Sequence, residues 1–338
     1  EGTTITQWVE TLLPMFNGEH TLDELTAGLP NTYKNMVMEI ADVLYKNGFV
    51  RDMSQERPHQ LKAEVLLKHA SQIEFLENMI DSGAYHFQKY RQTKVLAIGS
   101  GHLFVSLVSA LLESGLPVFH TFITETVPTN KNRLKELVEH AGKTDTDVKV
   151  EEISLNVEGD FSWGELVRPF DAILYVSQEE GDGKELSSLQ AACKEEKKGF
   201  FPATIIKQTG MAGPIITQDS VGSWDSARRQ LHQSVLSAEP GLSAFSVTAG
   251  AMLANILSFE MFKELTGVTK PEEPNQFYLL DLETLEGKWH RCFPHPSVTG
   301  KAKMKRVEDS DERLGNRSTR TEEGNLFLFF SRLTSPQS

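Results

Sequence analysis

The sequence predicts an α/β fold with a mostly parallel sheet, set behind a small helical N-terminal domain. Three observations predict it. From about residue 94 to 217, short apolar runs alternate with segments of helical period, as in a parallel sheet covered on both faces. One of these runs, KVLAI (94–98), leads straight into a pair of glycines and then a helix. Residues 1–52, by contrast, carry helical spacing with no such alternation.

In residues 1–52, Trp8, Val9, Leu12, Leu13 and Phe16 recur at helical spacing, and Asn17-Gly18 stops that helix. Thr21 and Glu24 form a capping box that opens a second helix. A third carries Met36, Val37, Ile40, Val43 and Leu44 and ends at Asn47-Gly48, after which Phe49-Val50 starts a strand. Three helices followed by a strand make a winged-helix-like pattern. A helical cap on the next domain reads the same way.

Residues 53–60 are a linker, and 61 to about 92 read as helix. The main domain, 61–297, then offers the strands KVLAI, VFHTFI, VKVEEI, FDAILYV, ATIIKQ and GPIIT, with a helix after each of KVLAI, VFHTFI and FDAILYV. Residues 243–265 form one long apolar helix, which either fills the core or offers a homodimer interface. FYLLDLETLEGKWHRC is a hairpin turning around Glu286-Gly287. Residues 298–323 are polar and of mixed charge, a linker without structure of its own. Residues 324–338 turn apolar again. They begin a further domain, which makes the chain part of something longer, or form an arm or a C-terminal strand that completes the sheet.

The net charge is −13 over 338 residues. Such a chain repels phosphate backbones, and no basic stretch offsets this, so nucleic acid is not an expected partner. Cys193 and Cys292 are too few for a disulfide framework and form no CxxC pair, so they read as reduced structural thiols. No run reaches the ~18 apolar residues of a membrane span, and no signal peptide is visible, so the expected location is cytoplasmic. The histidines show no metal-ligand spacing.

The loop after KVLAI reads Gly99-Ser100-Gly101-His102-Leu103-Phe104. In a strand–turn–helix context, such glycines let a backbone place phosphates at a helix N-terminus. Gly99 and Gly101 fit, but Phe104 stands where a third glycine lets helix and strand pack closely. A ring there pushes the helix away or fills the pocket. Glu125, just past VFHTFI, is placed to bond ribose hydroxyls. A turn of this shape that binds nothing is the plainer reading.

The order of elements over about residues 60–300 resembles the adenylating domain of the ThiF/MoeB and ubiquitin-activating enzymes. Val127-Pro128-Thr129-Asn130-Lys131-Asn132-Arg133 stands where that family has a motif like V-x-x-S-N-x-N-R-Q, one residue longer. The resemblance therefore implies that Asn130 and Arg133 occupy ATP-phosphate positions; Asn130 also reads simply as a helix cap. The departures weigh more. His102 and Phe104 replace loop glycines. Ser177-Gln178 follows FDAILYV where the family has a Mg²⁺-binding Asp. Ser223, Ser226 and Ser297 stand where zinc thiolates are wanted. Neither zinc nor ATP is an expected cofactor, and no residue is assigned a catalytic role.

Within that family the chain looks like the partner proteins of YcaO cyclodehydratases, which make thiazole- and oxazole-modified peptides of the bacteriocin type. LLPMFNGEHTLDELTAGL…VLYKNGFVRD resembles their PqqD-like peptide-recognition element, and MAGPIIT, GSWDSARRQL and FSRLTSPQS point the same way. The resemblance implies a non-catalytic scaffold that binds the leader of a ribosomal precursor peptide and presents it to a YcaO enzyme. The peptide adds as a strand along the third helix, with Tyr33, Met36, Val37 and Ile40 as its contacts. The same residues also suit the domain's own core. In that family the recognition sheet precedes the first helix, for which the sequence after Glu1 has almost no room. An active ATP-dependent adenylating enzyme and a winged-helix regulator with a Rossmann sensor domain are the alternatives.

Overall fold

The computed structural model describes residues 10–54, 56–124, 126–154, 161–178, 184–217, 220, 222–231, 246–268, 275–293 and 327–330. The chain forms two compact units, Glu1–Pro58 with Lys305–Ser338, and His59–Met304.

In the first unit, residues 10–12 are helical and pass into a 3₁₀ turn at Leu13–Met15. Asn17-Gly18 does end this helix, but the chain goes directly into a strand, β1 (Asn17–Thr21). The Thr21 hydroxyl accepts from Glu24 N (3.1 Å) and the Glu24 carboxylate accepts from Thr21 N (2.8 Å), closing the expected capping box over α1 (Leu22–Leu25). Next come α2 (Asn31–Lys46), ended by Gly48 at φ +75°, and β2 (Val50–Asp52). Residues 1–9, where strands preceding the first helix were expected to find almost no room, lie outside the described residues, and β1 follows that helix as part of a three-stranded sheet. Its middle strand is the sequence-distant β11 (Phe327–Phe330), antiparallel to both neighbours in the order β1-β11-β2. Leu12, Phe16, Leu22, Val37, Ala41 and Val50 make the small core.

The second unit opens with α3 (Ala63–Lys68), α4 (Ala70–Met79) and α5 (Gly83–Arg91), not the single helix expected over 61–92. The chain breaks at Asp81-Ser82-Gly83, where Ser82 takes a left-handed conformation (φ 61°). Gly83 is needed there, because a side chain would strike Ile73 O and the α4 backbone at 2.8 Å. The sheet elements follow in alternation: β3 (Val95–Gly99), α6 (Gly101–Glu113), β4 (Val118–Ile123), α7 (Lys131–Gly142), β5 (Lys149–Glu152), α8 (Trp163–Val167), β6 (Ala172–Ser177), α9 (Lys184–Glu195), β7 (Gly199–Ile206) and β8 (Thr209–Ala212). After these come α10 (Trp224–Leu231), α11 (Val247–Thr266), β9 (Gln276–Asp281) and β10 (Gly287–Arg291).

The eight strands run β10-β9-β8-β7-β6-β3-β4-β5. The run from β7 to β5 is parallel, and β8, β9 and β10 add antiparallel strands at one side. The α/β class and largely parallel sheet thus match the sequence reading. One strand does not. GPIIT (213–217) makes only a bridge from Ile216 to Phe200, and TGMA pairs with β7 instead. Lys207 (φ 55°) makes a tight turn into β8, and Gly213-Pro214 then takes the chain off the sheet, since proline has no N–H to give a ladder.

Val95 to Ile98 are all fully buried and alternate between two cores. At roughly 1.5–3 kcal/mol per large apolar side chain, this strand and β6 anchor the fold. One core is covered by α3 to α6 and α11, the other by α8 to α10. Arg91 and Asp145, both buried, meet at 2.8 Å and tie α5 to the segment before β5. The helix α11 buries Leu253, Leu257 and Met261 while exposing Met252 and Phe259. Among the described residues no helix is long and apolar enough to cross a membrane.

Candidate functional site

The chain passes from β3 outward to β4 and β5, then crosses back to β6 on the other side of β3. A sheet that reverses in this way opens a crevice at the carboxyl ends of the two strands, here the Gly99 end of β3 and the Ser177 end of β6. Gly99 must be glycine, since a Cβ there would lie 2.5 Å from Val176 O. Gly101 has φ +72°, and a Cβ on it would collide with the Gln178 amide.

Several polar groups of this loop bond to the chain itself. Gly101 N, the first donor of α6, gives its hydrogen to Thr129 Oγ1 at 2.8 Å. The buried Gln178 amide lies over Gly101 and donates to Ser100 O at 3.4 Å. Ser100 Oγ donates to Thr126 Oγ1 and accepts from Val127 N, each at 3.3 Å. Beneath the loop Phe104 is fully buried, its ring 3.2 Å from where a Gly99 Cβ would lie. It fills the space between helix and strand.

Among the expected nucleotide residues, Gly99 and Gly101 shape this loop, while Glu125 lies outside the described residues. Asn130 accepts from Arg133 N (3.0 Å) and so caps α7. The exposed Arg133 side chain pairs with Glu136 at 3.1 Å. The structure therefore gathers Gly99, Gly101, Thr129 and Gln178, and gives Asn130 and Arg133 to their own helix. Thr129 and Gln178 escape a sequence reading of ligand positions because they act on the loop from 28 and 78 residues away.

At the expected zinc segment, Ser223 and Ser226 share a hydroxyl–hydroxyl bond of 2.8 Å, and Ser223 Oγ accepts from Ser226 N at 3.1 Å. The Cys292 thiol donates to Ser223 O at 3.6 Å, and Gly222 N donates to Asn275 Oδ1 at 2.7 Å. Trp224 is buried, with its backbone N–H on Gln190 Oε1. Ser297 lies outside the described residues. Among those described, no three His, Cys, Asp or Glu side chains gather to hold a metal ion. Burial pushes the Cys193 thiol up to about 12, against the pull of Lys198, and raises Cys292 as well, so neither is a ready nucleophile.

The residues expected to hold a peptide all lie on α2, but with different exposures. Val37 is 1% exposed and belongs to the core. Ile40 packs against that core half-buried, Met36 is half-buried, and Tyr33 is 47% exposed. Val43 is 57% exposed. Two stripes therefore interleave on this helix: 37-41-44 faces the core, while 36-40-43 lies beside it and is partly open. Val43 was hidden in the sequence because both stripes have helical spacing. α2 leads into β2, which ends the described sheet on that side.

No protein-family model matches the sequence, and no curated protein does. Solved structures do. PaaA aligns with a TM-score of 0.59 at 17% identity, over 81% of this chain and 97% of its own. E. coli MccB solved with ATP aligns with a TM-score of 0.55 at 13% identity, over 80% of this chain and 81% of its own. The microcin biosynthetic enzyme MccB in complex with N-formylated MccA gives 0.54 at 14% identity, over 81% and 84%. At such identities the likeness is one of fold, and the fold of this chain is ThiF-like.

Proposed function

We propose that this chain is a non-catalytic scaffold that binds the leader of a ribosomal precursor peptide and presents it to a YcaO-type cyclodehydratase. The observation that carries this is the covered loop after β3, where Thr129 takes the first N–H of α6, a donor that a phosphate would use, and the Gln178 amide lies over Gly101. The fold likeness to MccB, solved with the peptide MccA, supports peptide binding. In this reading the N-terminal unit is a winged helix: helix, β1, α1, α2, β2, with the last strand β11 returning from the far end of the chain. The leader adds as a strand to the open edge of β2, and Tyr33, Met36, Ile40 and Val43 receive its side chains. The exposed side of α11, with Met252 and Phe259, pairs two copies.

The likeness to MccB solved with ATP favours the adenylating enzyme as second reading. Titrating dye-labelled leaders of the precursors encoded beside this chain's gene separates the two. Saturable binding that is lost on Val43→Asp supports the scaffold, and equal binding by both proteins moves the peptide site elsewhere. ATP–pyrophosphate exchange above background that vanishes on Arg133→Ala replaces the scaffold with the enzyme.

A further inference from the structure

The strand β10 ends the eight-stranded sheet, and all five of its residues are exposed. Its hydrogen-bond phase follows from its neighbours. Asp281 N donates to Glu286 O and Cys292 N to Asn275 O, and the register pairs Gly287 with Leu280. In an antiparallel ladder the bonded positions alternate, so Lys288 and His290 bond inward to β9. Gly287, Trp289 and Arg291 then turn their backbone groups outward. Part of this outer edge is already paired: the Gln230 amide, oriented to satisfy both groups, donates to Arg291 O (3.0 Å) and accepts from Phe293 N (2.7 Å). A side chain of α10 thus acts as a one-residue strand, and Gly287 and Trp289 remain open among the described residues.

The side chains on this edge are basic and aromatic. Lys288 and Arg291 make no ion pair among the described residues, in a chain of net charge −13. Of the hairpin's carboxylates, Asp281 accepts from Glu283 N and Thr284 N at the turn. Trp289 is 45% exposed, its ring 5.1 Å from Tyr278, and Phe293 is 66% exposed. Tryptophan and arginine are the residues that interfaces favour. A second copy is a poor occupant, because two β10 strands side by side crowd four cations onto one short ribbon.

We infer that β10 is a docking edge for an extended acidic segment of a partner protein. Lys288 and Arg291 are three residues apart and so face opposite sides of the sheet, which calls for two carboxylates three residues apart on the incoming strand. This site lies in the α/β unit and does not depend on the leader reading.

The probe is a dye-labelled octapeptide, Thr-Val-Glu-Val-Thr-Glu-Val-Thr, titrated into the full chain at low salt. Saturable binding is expected, weakened at least tenfold by Lys288→Glu with Arg291→Glu, by lysine in place of the peptide's glutamates, or by N-methylation of alternate peptide residues. Circular dichroism of the double variant, whose changes are on exposed side chains, checks that it is folded. Val43→Asp leaves this binding unchanged, so failure here and failure of the leader reading remain distinct. The inference is overturned by absent saturation, by indifference to charge reversal, by binding that survives N-methylation, or by self-association that depends on β10.

Discussion

At the loop after β3, Gly101 N is bonded to Thr129, Ser100 O to Gln178, and the space under the turn is filled by Phe104. Along α2 the reverse holds. Val43 and Tyr33 lie open to solvent, Met36 is half covered, and β2 ends its sheet among the described strands. The first region has its leading helix donor bonded and its turn covered, whereas the second retains apolar surface and a strand edge. A buried polar group without a partner costs about 1–3 kcal/mol, so a ligand gains from donors left open and loses where it must displace an internal bond. By that measure a likeness of fold to a structure solved with ATP does not by itself carry an ATP site, and α2 offers more open surface than the loop after β3.

The comparison is broken or kept most clearly on α2. Val37→Asp puts a carboxylate into a core of six residues, and a cost of about 3–5 kcal/mol is expected, enough to unfold the N-terminal unit. Val43→Asp, six residues further along the helix on open surface, leaves stability within about 0.5 kcal/mol but weakens leader binding by about tenfold or more. Thermal melts with matched titrations measure both. A destabilised Val43→Asp with unchanged affinity assigns the 36-40-43 stripe to packing.

Acid sharpens the contrast between units, because the buried His69, Arg91 and Asp145 belong to the α/β unit alone. Burial, then the charges of Arg91 and Lys68, pushes the His69 imidazole down to about 4, and Asp145 only partly opposes this. The unfolded chain therefore takes up the proton first. Stability of this unit falls as pH drops from about 6.5 toward 4, by up to roughly 3 kcal/mol. For Asp145, burial raises the carboxyl but the hydrogen bond and charge of Arg91 outweigh it and hold it below the usual range, so its contribution is lost at still lower pH. Urea melts at pH 7, 5.5 and 4.5 should show this slope, and His69→Gln should flatten its upper part. A flat profile in the unaltered protein refutes the buried-neutral histidine.

Local signals in the sequence placed most elements of the α/β unit. KVLAI and FDAILYV read as strands because both faces of a central parallel strand are apolar, and Thr21 with Glu24 read as a cap because that bond spans three residues. The failures depend on distant or overriding context. The polar NGEHT becomes β1 because β11, some 300 residues on, lies beside it. Asp81-Ser82-Gly83 breaks a helix whose apolar period continues past it. GPIIT is the more strand-like string, yet TGMA takes the place because the turn at Lys207 returns the chain first. At the loop the glycines and the ring of Phe104 were legible, and the Gln178 amide over them was not, since it comes from 78 residues away.

The smallest effect tests that closure directly. Thr129→Val keeps the shape of the side chain and removes the acceptor of Gly101 N, at a cost of about 1 kcal/mol, or a fall in melting temperature of about 2–4 °C. It also leaves a helix N-terminal N–H open in the position a phosphate oxygen would take. If Gln178 and Phe104 close the loop as well, Mg²⁺-ATP still produces no thermal shift in this variant, and adding Gln178→Ala costs about another 1 kcal/mol. Should ATP raise the melting temperature of the unaltered chain, the loop opens readily and the contrast with α2 disappears. Should it do so only after Thr129→Val, the hydroxyl alone is the plug, and the amide over Gly101 is packing.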